Sequence, residues 1–111
     1  MGIKRTAADK PKFGYDLRRA AKGSPCLIRI PGFCNHNPET VVLCHSNLPG
    51  LSGMGMKSPD ICGARGCSSC HAVVDGSVKT PYSKDEIKAF FYEGVLRTLA
   101  EVDREVDFVK R

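Results

Sequence analysis

The strongest pattern along the chain lies toward its C-terminal end. There Ile87, Phe91, Val95, Leu99, Val102, Val106 and Val109 recur at steps of three and four, with charged and small residues between them. This spacing lines the apolar side chains along one face of a helix. Ser83 followed by Glu86 supplies a capping box at its start. The pattern therefore predicts a helix over about 83–109 that buries its stripe against the rest of the chain or against a second subunit. In the second case the helix makes a homodimer, which Phe91→Asp would disrupt.

Upstream the patterns are shorter. Tyr15 to Lys22 predicts a short basic helix closed by Gly23 and Pro25. Cys26-Leu27-Ile28-Arg29-Ile30 reads as a strand ended by the Pro31-Gly32 turn, which returns Cys34 toward Cys26. Asn35 to Glu39 reads as a loop, and Thr40-Val41-Val42-Leu43-Cys44-His45 as a second strand rich in β-branched residues. Pro49 to Gly66 carries glycine at 50, 53, 55, 63 and 66 and reads as a long loop of the kind that often carries function. Cys67 to about Val74 begins a further helix. Residues 1–13, with Pro11 and many charges, read as a flexible basic arm, leaving 14–111 as a single α+β domain.

Composition changes this picture in one respect. A chain of 111 residues with no Trp, 7% aromatics, 11 Gly and 7 Pro has a thin core, and a metal staple would contribute much to its stability. Met1 to Lys12 lacks the apolar stretch of a secretion signal, so a cytoplasmic location is expected, in which spaced cysteine pairs read as metal ligands before disulfides. No apolar run approaches the roughly 18 residues that cross a bilayer. The net charge of +5 is concentrated near the front, in Lys4, Arg5, Lys10, Lys12, Arg18, Arg19 and Lys22, which suits a polyanion such as DNA. A solvated tail is the plainer reading.

Four of the six cysteines form two pairs. Cys67-Ser68-Ser69-Cys70 has the commonest zinc spacing, and Cys26 with Cys34 completes a four-thiolate structural zinc site across a wider spacing. Cys62 is a substitute for one of the four.

A second set of donors has different chemistry. His45 ends the second strand, Asp60 lies in the glycine-rich loop, and His71 and Asp75 share a helical face one turn apart. Such a pair can hold a divalent ion while leaving positions open for substrate. The order Cys…Cys…Val-Leu-Cys-His…Lys-Ser-Pro-Asp…Cys-x-x-Cys-His over about Leu17 to Asp75 resembles the HNH, or ββα-metal, nucleases, and especially the small prophage-encoded nucleases of the YbcO type.

The resemblance implies a zinc-stapled ββα-metal core and a DNA endonuclease of phage or prophage origin, acting in the host cytoplasm. By the same resemblance His45 is the general base, and His71 with Asp60 or Asp75 binds a catalytic Mg²⁺, Mn²⁺, Ni²⁺ or Zn²⁺. Cys44 stands where the family carries a metal-ligating His or Asp, and Asp60 stands near its middle Asn. Arg18, Arg19, Arg29, Lys57 and Arg65 are candidate phosphate contacts, beside the default of solvated charges. The alternative function is a non-catalytic zinc module that binds nucleic acid or a protein partner.

Overall fold

The computed structural model describes residues 15–45 and 59–110, with side chains up to Val106 in the last helix. The basic arm, the glycine-rich stretch up to Ser58 including Lys57, and the side chain of Val109 lie outside the described residues.

The elements in chain order are α1 (Leu17–Ala21), a 3-10 turn at Pro38–Thr40, β1 (Val42–Cys44) and a second 3-10 turn at Asp60–Cys62. Then come β2 (Ala64–Gly66), α2 (Ser68–Val74) and α3 (Lys84–Lys110), an α+β arrangement. Strands β1 and β2 pair antiparallel, Val42 with Gly66, Leu43 with Arg65 and Cys44 with Ala64.

Local signals account for the helix starts. The Asp16 side chain accepts the Arg19 N–H at 3.0 Å and caps α1. The Cys67 sulfur accepts the Cys70 N–H at the head of α2. At α3 the expected capping box is complete: Glu86 N–H donates to Ser83 Oγ at 3.1 Å and Ser83 N–H to Glu86 Oε1 at 2.9 Å.

The apolar run Cys26 to Ile30 is not a strand. Its backbone donors go elsewhere: Leu27 N–H reaches the Arg65 carbonyl at 2.8 Å and Ile30 N–H reaches Cys70 Sγ at 3.4 Å. Arg29 turns to a positive φ of 55° between them. The second expected strand shortens to Val42–Cys44 because Pro38–Thr40 folds into its own turn, capped by the Asn37 side chain. Strand β2 arises inside the stretch that reads as loop.

Ile28 is held between β2 and α3. A Cβ on Gly66 would meet Ile28 Cδ1 at 2.5 Å, and one on Gly94 would meet Ile28 Cγ1 at 2.8 Å and its Cα at 3.0 Å. Neither position has room for a side chain: at Gly66 the Ile28 and Cys44 side chains fill the space, and at Gly94 the Ile28 backbone also approaches. Around Ile28 gather Cys26, Ile30, Val41, Cys44, Val73 and Phe91. A smaller cluster of Leu17, Ala21, Leu43 and Val102 ties α1 to the far end of α3.

Two residues of α3 depart from the expected stripe. Leu99 is 36% exposed, while Thr98 is buried at 3%. Steps of four advance 400° each, so three of them carry the face about 120° around the helix by Leu99. Thr98 takes the inward place, its hydroxyl accepting the Arg65 N–H at 2.9 Å and donating to the Gly94 carbonyl at 2.7 Å. Phe91 is 4% exposed within the chain's own core, so it is not a subunit contact. Among the described residues no helix is long and apolar enough to cross a membrane.

Candidate metal centre and histidine–aspartate pair

Cys26, Cys34, Cys67 and Cys70 converge, with all four sulfurs within 4.8 Å of one another. A tetrahedral zinc ion with bonds of about 2.3 Å requires sulfur–sulfur edges of about 3.8 Å. Two measured edges, Cys26 to Cys70 at 3.7 Å and Cys34 to Cys67 at 3.9 Å, fit that demand. They are far beyond the disulfide length of about 2.05 Å.

The surroundings suit thiolates. Cys67 N–H points at Cys26 Sγ (3.3 Å), Asn35 and Cys70 N–H at Cys67 Sγ (both 3.4 Å), and Ile30 N–H at Cys70 Sγ (3.4 Å). His36 Nδ1 lies 3.6 Å from Cys34 Sγ. Such donors spread the negative charge of a four-sulfur site and fix its geometry. The Asn35 amide also reaches Ser68 Oγ at 3.0 Å and Ser69 Oγ at 3.2 Å, fastening the Cys34 turn to the start of α2.

Without a cation the thiols compete for charge. The hydrogen bond with Cys70 and the N–H groups of Arg29 and Cys67 outweigh burial and hold Cys26 down to about 4. Burial pushes Cys34 up to about 11, and the bond to Cys26 together with burial raises Cys70. A divalent ion relieves this conflict by making all four thiolates favourable together. Cys62, the substitute, is outside the cluster.

At the other end of β1 the His45 Nε2 atom lies 2.7 Å from Asp60 Oδ1, and Arg18 Nε lies 3.1 Å from the same oxygen. Burial favours the neutral acid at Asp60, but the hydrogen bonds from His45 and Arg18 prevail and hold the carboxyl below its usual range. Arg18 thus serves Asp60, a role its place in a basic run does not reveal.

His71 and Asp75 are exposed on α2. The Asp75 carboxylate is held low by hydrogen bonds from Ser77, with a smaller contribution from His71. Among the described residues the four cysteines are the one converged group of three or more metal donors.

Two expected site residues are core residues instead. Cys44 is buried with its sulfur directed at Gly66, where an added Cβ would come within 3.0 Å, and burial pushes its thiol up to about 12. Its side chain belongs to the core cluster around Ile28. Arg65 is 1% exposed and forms a two-pronged pair with Glu105, at 2.7 and 2.8 Å, leaving no surface for a phosphate. Arg19 and Arg29 are exposed.

The family model described as "Putative nuclease YbcO" matches residues 15–107. Two curated relatives, "Putative nuclease YbcO" of Escherichia coli (strain K12) and "Putative nuclease ybcO" of Enterobacteria phage 82, are each 55% identical over 60 residues. Those alignments cover 54% of this chain and 62% of each relative, so the chain spans about three fifths of the relatives' length. A solved structure, "Structure of a putative bacteriophage protein from Escherichia coli str. K-12 substr. MG1655", is similar at a TM-score of 0.65 and 36% identity, over 79% of this chain and 96% of that one.

Proposed function

The chain belongs to the family described as "Putative nuclease YbcO", and from that premise we propose that it is a metal-dependent DNA endonuclease of phage or prophage origin, built on a ββα-metal unit of β1, β2 and α2. The observation that carries the reading is the His45–Asp60 pair at the end of β1, on the same short sheet that leads into the four-cysteine cluster.

His45 is the general base. With Asp60 ionised, the 2.7 Å contact is made by a protonated Nε2, which leaves Nδ1 as the proton acceptor. Asp60 fixes the ring's tautomer and orientation and stabilises the imidazolium that forms when water gives up its proton. Arg18 holds the carboxylate in place. Arg19 and Arg29, both exposed, contact phosphates outside the scissile position.

The structural zinc is held by Cys26, Cys34, Cys67 and Cys70, whose role is to fix the start of α2 and hence the place of His71. The catalytic cation is assigned to His71 with Asp60 or Asp75; these donors do not converge as a group of three among the described residues and would have to close around the ion when it binds. Nitrogen and carboxylate donors suit Mg²⁺, Mn²⁺, Ni²⁺ or Zn²⁺. When bound, that cation supplies charge stabilisation for the phosphorane-like transition state and the leaving oxygen.

The test is cleavage of plasmid DNA with each of these cations in turn. Cleavage that His45→Ala abolishes supports the proposal. Salt-dependent DNA binding without cleavage under any cation would instead assign the chain as a non-catalytic zinc module.

A further inference from the structure

The outward face of α3 carries a row of side chains that the chain's own core does not cover. Tyr92, Leu96 and Leu99 are 40%, 68% and 36% exposed, and their spacing of four and three places them on one line along the helix. Single exposed apolar residues are ordinary, but three in register on one face form a seam of the kind that joins helices. The row continues in both directions into exposed charge, to Lys88 four residues before Tyr92 and Asp103 four residues after Leu99.

These ends are of opposite sign, and that selects a partner. We propose that the chain forms a twofold homodimer in which two α3 helices pack antiparallel along Lys88, Tyr92, Leu96, Leu99 and Asp103. In an antiparallel pair centred between residues 95 and 96, Tyr92 faces the second copy's Leu99, and Lys88 faces the second copy's Asp103. The two Leu96 side chains meet near the axis. A twofold contact repeats each of these pairs, so both ends of the seam are matched. Parallel packing would set Lys88 against Lys88 and Asp103 against Asp103, which like-charge repulsion disfavours.

The inward face of α3 cannot make this contact, because Phe91, Thr98 and Val102 are already buried within the chain. A seam of about four turns of a single helix is small beside the roughly 800 Å² per partner of a standard complex, so the association belongs to the weak class. This inference does not depend on the nuclease reading.

Sedimentation equilibrium on the full chain with zinc present tests it, from about 1 µM to several hundred µM. The expected result is a monomer–dimer equilibrium that Leu96→Glu abolishes while circular dichroism and zinc content stay unchanged. Lys88→Glu and Asp103→Lys each weaken the dimer about tenfold, since each change creates two like-charge contacts. The double variant restores it to within about twofold by the same pairing. A wild-type chain that is monomeric throughout, a dimer that Leu96→Glu leaves intact, or a double variant no better than the single ones overturns the proposal. The charge-exchange series keeps the test decisive if Leu96→Glu fails to fold.

Discussion

Asp60 Oδ1 takes two donors at once, His45 Nε2 at 2.7 Å and Arg18 Nε at 3.1 Å. The three residues come from α1, the end of β1 and the turn before β2, so one carboxylate joins segments far apart in sequence. If His45 is the base, His45→Ala lowers single-turnover DNA cleavage by about 10³-fold or more. Asp60→Asn keeps the shape but loses the charge that supports the imidazolium, and lowers the rate by about ten- to a hundredfold. Circular dichroism on both variants separates lost chemistry from lost folding.

The four-cysteine cluster makes folding conditional on metal. One zinc per chain is expected by elemental analysis, and a strong chelator unfolds the protein, because a structural zinc site contributes on the order of 10 kcal/mol. Cys67→Ala has the largest single effect. It removes a ligand, the acceptor for the Asn35 and Cys70 N–H groups, and the cap of α2 in one change.

The Arg65–Glu105 pair is expected to govern acid stability. Glu105→Gln leaves a guanidinium that is 1% exposed without its charge partner, and costs about 3 kcal/mol in chemical denaturation. The hydrogen bonds from Arg65 outweigh burial and hold the Glu105 carboxyl below its usual range. A lowered folded-state value means that the stabilisation is complete above the unfolded glutamate's pKa of about 4.3 and is lost as pH falls through the lowered value. Thermal melts of the wild type and Glu105→Gln therefore converge in acid.

Gly66→Ala tests the packing of Ile28. The new methyl would sit 2.5 Å from Ile28 Cδ1 and 3.0 Å from the Cys44 sulfur, and either must shift, at a cost of about 1–3 kcal/mol. Ser83→Ala serves as a reference: it removes one cap bond at an exposed site and costs about 1 kcal/mol.

What the sequence reveals divides along physical lines. Helix α3 is legible because its cap and stripe are local, and the cysteine quartet because thiolate spacing has few other uses. The run Cys26 to Ile30 misleads because apolar content signals burial but not which acceptors its N–H groups will find; here two sulfurs and a carbonyl are the acceptors. Strand β2 is hidden for the opposite reason. It is three residues long, begins after a glycine and ends on one, and its central Arg65 is made tolerable indoors by a Glu forty positions away. Arg18 illustrates the same limit, since no short-range pattern ties it to Asp60.

The backbone of Arg65 has one more consequence. Its N–H goes to the Thr98 hydroxyl and its carbonyl to Leu27 N–H, so the outer rim of this two-stranded sheet presents no free ladder at its middle residue. A third strand, whether from another chain or a misfolded copy, finds nothing there to template on. Removing one hydroxyl, as in Thr98→Val, would leave the Arg65 N–H buried under α3 without an acceptor, at a cost of about 1–3 kcal/mol, so that earlier unfolding in denaturant would be the first sign.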